Sequence, residues 1–233
     1  MHSGLSTPDI AAPPLGLFLR EAMQVANWRR AARVPVFRAS RSVGMGRPVL
    51  VVPGFLASDD STRPLRLALR QAGFRAYGWK RGRNFGMTSD IFERIDERLD
   101  QIAEHGAGPV SIVGWSLGGL VAREYAKYAP ERVDRVVTLG SPFSGNLRAN
   151  NNVWWLYEMV ARHKVDQPPV ECVLTEKPPV ETIAIWSRRD GVVAPASARG
   201  GPAESDRQIE LNCGHIEFTY QPEALRAVVK ALA

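Results

Sequence analysis

The feature that most constrains the fold of this chain is an alternation. Short, β-branched apolar runs recur along it, and each is followed by a stretch with helical spacing. Pro48-Val49-Leu50-Val51-Val52 is apolar without interruption and stops at Pro53-Gly54, which predicts a strand buried on both faces. Asp60 or Ser61 is placed to cap a helix running to about Ala72, with Gly73 ending it. Residues 74–79 read as a second strand. Residues 89–104 carry Ile91, Ile95, Leu99 and Ile102 at helical spacing, with Gly106 as the stop. Strands are expected at 110–113, 133–139, 182–186 and 208–211, and helices at 117–128 and 222–232. Strands alternating with helices at these lengths need crossover connections. The expected fold class is therefore α/β, with a mostly parallel central sheet flanked by helices. Ligands of such sheets bind beyond the carboxyl ends of the strands.

The alternation breaks once. Residues 143–180 carry no strand pattern, only Asn150-Asn151-Asn152, a helical piece with Trp154, Trp155, Tyr157 and Met159, and then prolines. Such an insertion is either a small helical cap over a site or a mobile loop, and the adjacent tryptophans favour the cap.

At 233 residues the chain suits one large domain, and 45% hydrophobic with 23% charged residues is ordinary globular composition. No apolar run reaches the ~20 residues of a membrane span. Residues 1–14 lack a positive start and a continuous apolar core, so no signal peptide is expected and the cytoplasm is the expected compartment. The formal charge of +6 gathers early: Arg20, Arg29, Arg30, Arg33, Arg38, Arg41 and Arg47 face only Glu21. Leu15, Leu19, Ala22, Met23 and Ala26 form an apolar stripe on the same segment. The expectation is a helix packed on the domain by that stripe with its arginines solvated; peripheral contact with an anionic membrane is the alternative. No aromatic RNA motif or helix-turn-helix pattern supports nucleic-acid binding.

Gly114-Trp115-Ser116-Leu117-Gly118 is a G-x-S-x-G sequence set between a strand and a helix, the order required of a nucleophile elbow. A serine turned that sharply holds strained backbone angles, and its neighbours must lack side chains for the chain to reverse. Its hydroxyl is then exposed at a helix N-terminus, where N–H groups favour an oxyanion. Of the four histidines, His2 lies near the terminus, His105 ends a helix and His163 belongs to the cap. Only His215 follows a strand and comes after the serine. Asp190, just past the strand at 182–186, supplies the carboxylate that holds the imidazole tautomer, in preference to Asp206 and Glu210. The expected catalytic set is Ser116, Asp190 and His215. Backbone N–H groups of Phe55 and Leu117 are the expected oxyanion hole.

These residues resemble the α/β-hydrolase superfamily in its bacterial lipase and esterase branch. The carriers are Val51-Val52-Pro53-Gly54-Phe55, Gly114 to Gly119, Thr138-Leu139-Gly140-Ser141-Pro142-Phe143, Ser187 to Val193 and Cys213-Gly214-His215. The resemblance implies a Ser/His/Asp hydrolase of carboxylic esters with a cap over an acyl pocket. Residues 1–47 are then a basic helical segment on the core, and residues 48–233 the hydrolase domain with its cap insertion at about 143–180. Many lipases have His-Gly where this chain has Pro53-Gly54, and with no signal peptide an intracellular esterase is favoured over a triglyceride lipase. The expected substrate is a small-molecule ester with an apolar acyl group, in a site lined by Leu56, Trp115, Trp154, Trp155 and Tyr157 beside Phe55, with a place in the core as the rival reading for Trp115. No metal or cofactor is expected. The alternatives are a thioesterase, acyltransferase or lipid deacylase with the same triad, or a non-catalytic binding protein on this scaffold. Cys172 and Cys213 are spaced so that a disulfide across the base-bearing loop is conceivable, but two reduced thiols are the expectation for the cytoplasm.

Overall fold

The computed structural model describes residues 10–31, 43–106, 108–161, 163–164, 167–170 and 172–233, with the backbone alone for 25–31. Helix α1 (Leu15–Ala31) precedes strand β1 (Pro48–Val52). Then follow α2 (Arg63–Gln71), β2 (Arg75–Gly78), α3 (Ile91–Ala103), β3 (Val110–Trp115) and α4 (Leu117–Tyr128). The chain continues through β4 (Val133–Leu139), α5 (Trp154–Ala161), β5 (Glu181–Ser187), α6 (Pro195–Arg199), β6 (Arg207–Leu211) and α7 (Pro222–Leu232).

The six strands form one sheet in the order β2-β1-β3-β4-β5-β6, and every neighbouring pair is parallel. Val51 pairs with Val113, Val113 with Val137, and Leu139 with Ile185. The order turns back at β1: β2 lies on one side of it and β3 on the other. Such a reversal opens a crevice beyond the carboxyl ends of β1 and β3.

The unbroken apolar run of β1 is explained by burial on both faces. Val49 and Val51 enter a layer with Leu65 and Leu69 of α2 and Leu225, Val228 and Leu232 of α7. Leu50 and Val52 enter the opposite layer with Ile95, Leu99 and Ile102 of α3 and Val121 and Tyr125 of α4. Each such aliphatic side chain contributes ~1.5–3 kcal/mol by burial. The edge strand β6 keeps Arg207, Gln208 and Glu210 exposed, a charged border that resists pairing with another chain.

Two expectations are corrected. Neither Asp60 nor Ser61 caps α2: a 3-10 turn, Asp59–Thr62, comes first and Ser58 caps it. The Ser58 hydroxyl accepts from Asp60 N–H at 3.3 Å, and the Ser61 hydroxyl accepts from Ser58 N–H at 3.4 Å. The second correction concerns α1. Its apolar stripe faces outward, with Leu15 72%, Leu19 62% and Met23 64% exposed. The buried side chain is Glu21, 2% exposed. The surface beneath α1 offers backbone N–H groups, so a carboxylate docks there in place of aliphatic groups. The side chains of Ala26, Arg29 and Arg30, and all of Arg33, Arg38 and Arg41, lie outside the described residues. Cys172 and Cys213 are free thiols, and the alternative of a disulfide falls away. Cys213 belongs to the α2/α7 layer and Cys172 packs against the α3/α4 layer, so the sheet stands between them.

The segment that broke the alternation is tied down by its asparagines. Asn150 Nδ2 donates to Ser144 O and Ser197 Oγ, at 2.8 and 2.7 Å. Asn152 Nδ2 donates to Gly191 O at 2.9 Å and to Pro13 O at 3.0 Å. Helix α5 thereby lies at the rim where the strands end.

Candidate active site

Ser116 sits between β3 and α4 at φ 55° and ψ −122°, a conformation that L side chains rarely adopt. Glycines make the reversal possible. A Cβ on Gly114 would overlap Gly118 O, and one on Gly118 would overlap Val52 O. A Cβ on Gly119 would overlap the buried Ser141 Oγ. The Ser116 N–H donates to Leu139 O at 2.8 Å, which locks the elbow to the end of β4. The loop after β1 approaches as closely: a Cβ on Gly54 would lie 3.1 Å from Ser116 Cβ. That loop is held by Asn84, whose Nδ2 donates to Pro53 O at 2.8 Å and whose carbonyl accepts from Leu56 N–H at 2.7 Å. The N–H groups of Phe55 and Leu117 have no acceptor among the described residues.

Asp190 follows β5 and His215 follows β6. Asp190 Oδ2 lies 2.8 Å from His215 Nδ1, while Oδ1 accepts from the N–H groups of Val192 and Val193, both at 2.8 Å. Both carboxylate oxygens are thus engaged, which fixes the orientation of the group. Ser187 joins the two strand ends: its Oγ donates to Cys213 O at 2.6 Å and accepts from Cys213 N–H at 3.1 Å. The imidazole is buried between the Trp115 ring at 5.6 Å and the Phe218 ring at 6.3 Å. Burial alone would lower its pKa. The Asp190 charge, the hydrogen bond to it and the Glu21 charge outweigh burial and hold it above the ordinary 6.5.

The structure brings Asp190 and His215 into direct contact. Ser116 is a neighbour at the same rim, since Trp115 Nε1 donates to His215 O at 3.0 Å. Neither the Ser116 hydroxyl nor His215 Nε2 has a hydrogen-bond partner among the described residues, so the serine–imidazole link is unmade. Such links commonly tighten only around a bound substrate.

Ser116 opens into a cavity of about 130 Å³ lined by Phe55, Met87, Leu117, Leu120, Leu147, Trp154 and Tyr157, among others, with no charged side chain on its wall among the described residues. The Phe55 and Tyr157 rings pack at 5.2 Å, and the Tyr157 hydroxyl accepts from Met87 N–H at 3.1 Å. Burial pushes that phenol up to about 12. His163, assigned to the cap, is a strut: its Nε2 lies 2.9 Å from Met87 O and 3.3 Å from the Tyr157 hydroxyl. Three expected lining residues are not in the wall. Trp155 points to solvent, 54% exposed, because it lies on the outer side of α5. Leu56 is turned by its left-handed backbone, φ 58°. Trp115 packs against the core layer under α7 and against His215.

Sequence reasoning missed Asn84, Ser187, Glu21 and the role of Gly140. Gly140 has φ +55°, and a Cβ there would lie 2.8 Å from Asp190 Oδ2 and 3.1 Å from His215 Nδ1. Its place at the end of β4 was a signal for it; the three polar residues act through long-range contacts that leave no local pattern. Among the described residues no group of three or more His, Cys, Asp or Glu side chains is placed to hold a metal.

Comparison with known proteins matches the family model described as alpha/beta hydrolase fold to residues 47–166, just over half of the chain. A pimeloyl-(acyl-carrier protein) methyl ester esterase of Shewanella woodyi is 30% identical over 100 residues, 43% of this chain and 38% of that protein. The same-named enzyme of Photobacterium profundum is 39% identical over 99 residues, 42% of this chain and 38% of its own length. The chain thus spans about two-fifths of the length of these curated relatives. Carboxylesterase CesB of Bacillus subtilis superposes with a TM-score of 0.57 at 15% identity, over 93% of this chain and 98% of that one, a likeness of fold.

Proposed function

The chain belongs to the α/β-hydrolase family, and from that premise we propose that it is a serine hydrolase of carboxylic esters. Ser116 is the nucleophile, His215 the general base and acid, and Asp190 the group that orients the imidazole. The observation that carries this reading is the backbone of Ser116. Its left-handed conformation costs ~1–3 kcal/mol, and the packing of the glycines around it serves to present one hydroxyl at a helix N-terminus.

Asp190 holds Nδ1–H, so Nε2 is free to take the Ser116 proton as Oγ attacks the ester carbonyl. The tetrahedral oxygen is bound by the N–H groups of Phe55 and Leu117. The imidazolium returns its proton to the leaving alcohol, and an acyl-serine remains. Water then attacks, giving its proton to His215, and the acid departs as Ser116 is restored. The cavity, lined mainly by apolar side chains among the described residues, takes an aliphatic or aromatic acyl group. The names of the curated relatives support a small alkyl leaving group.

The test is Ser116→Ala assayed on p-nitrophenyl esters of increasing acyl length. A loss in kcat of ~10³-fold or more is expected, the scale of removing a triad member. Full turnover in a folded Ser116→Ala protein would exclude the mechanism. Labelling of the wild-type chain by a serine-directed phosphonate is expected at Ser116, and its absence would favour a non-catalytic scaffold.

A further inference from the structure

We infer that Glu21 of α1 is a positioning residue for His215, so that a helix outside the matched family region completes the site. This rests on the reading of Ser116, Asp190 and His215 just given. The Glu21 carboxylate accepts three backbone N–H groups from the two loops that carry the acid and the base. Its Oε1 takes His215 N–H at 2.7 Å and Gly191 N–H at 3.4 Å, and its Oε2 takes Ile216 N–H at 3.3 Å. His215 is the N-cap of the 3-10 turn Ile216–Thr219, and that turn has no cap of its own. Glu21 supplies the cap from a segment 194 residues away.

Two glycines are shaped to this contact. A Cβ on Gly214, next to His215, would lie 2.5 Å from Glu21 Oε1. A Cβ on Gly191, next to Asp190, would overlap Leu17 O of α1. Arg20 and Glu217 close the arrangement: they pair at 3.3 Å, and Glu217 Oε2 accepts from Gly214 N–H at 2.5 Å. No cation among the described residues pairs with Glu21. A buried carboxylate is costly unless it is hydrogen-bonded, and here the offsetting donors are N–H groups of the two functional loops.

The charged and titratable groups around His215 are Asp190 from the β5 loop, Arg20 and Glu21 from α1, Cys213, Glu217 and Tyr220 from its own segment, and Glu223 of α7. The Arg20 charge is offset by Glu217. Neutralising Glu21 therefore removes a negative charge that favours the imidazolium, and the base stays deprotonated to lower pH.

The experiment compares wild type, Glu21→Gln, Glu21→Ala and Ser116→Ala on one p-nitrophenyl ester across pH, with circular dichroism to check folding. Glu21→Ala is expected to lose kcat by ~10²-fold, the scale of an ångström-level misplacement, with KM nearly unchanged. Glu21→Gln, which keeps one carbonyl acceptor, is expected to lose ~10-fold in kcat/KM and to move its acidic limb to lower pH. Should Glu21→Ala not fold, Glu21→Gln alone decides. Wild-type rates in both variants, or a slower Glu21→Gln enzyme with an unmoved acidic limb, overturns the inference. Failure of both to fold also overturns it, by making Glu21 a determinant of the fold alone. Turnover retained by folded Ser116→Ala instead marks the failure of the triad reading beneath it.

Discussion

The two sides of the rim are built differently. The side of the proposed nucleophile is made of backbone: Ser116 is held by glycines that let β3, α4 and the loop after β1 touch. The side of the proposed base is made of polar side chains from remote places, with Ser187 and Glu21 joining the loops of Asp190 and His215. Rigidity that comes from close-packed main chain cannot be removed without disturbing the sheet. Rigidity that comes from a few hydrogen bonds can be removed while the sheet survives. The fold and the proposed chemistry should therefore separate under mutation on one side and not on the other.

Gly118→Ala is the severest test. Its Cβ would overlap Val52 O, a main-chain atom of β1 that has no room to retreat. A loss of about 3 kcal/mol or more is expected, near the top of the overpacking range. Thermal unfolding should show a Tm lower by roughly 6–12 °C, together with loss of turnover. Gly140→Ala comes next. It would press on Asp190 Oδ2 and His215 Nδ1, and kcat should fall by ~10²-fold while Tm drops by only about 2–4 °C. A Tm loss as large as that of Gly118→Ala would erase the contrast between the sides.

The pH profile sharpens the base side without a mutation. In the proposed mechanism His215 must be neutral to accept the Ser116 proton, and its surroundings hold its pKa above 6.5. Initial rates should therefore be low in acid and climb with pH, with the midpoint of kcat/KM above 6.5. A midpoint below that value would mean that burial outweighs the carboxylates. The smallest effect is reserved for Trp155→Ala. Its ring faces solvent, so stability should change by no more than ~0.5 kcal/mol and acyl-length preference should stay put. A changed preference would return Trp155 to the pocket.

The parallel sheet was legible because its strands are buried on both faces, and burial of that kind writes continuous apolar runs such as Val49 to Val52. The positions of Ser116, Asp190 and His215 were legible because strand ends in such a sheet carry the functional loops. The orientation of α1 was not. An apolar stripe signals a buried face only when the surface beneath it is apolar, and here that surface consists of N–H groups seeking an acceptor. Glu21 looked like the one acid among arginines; burial and three hydrogen bonds give it its place. Trp154 and Trp155 were indistinguishable by composition, because the rotation of a short helix is set by its contacts. Here Tyr157 decides it, by anchoring α5 to Met87.

That anchor joins the far end of the cavity to the loop bearing Phe55, because Tyr157 touches the Phe55 ring, the Met87 amide and His163 together. On the proposed chemistry, an acyl tail too long for the space would lean on Tyr157 and, through it, on the Phe55 N–H proposed for the oxyanion. Overlong substrates would then be refused at the barrier and not at the door: they would enter and occupy, but turn over slowly.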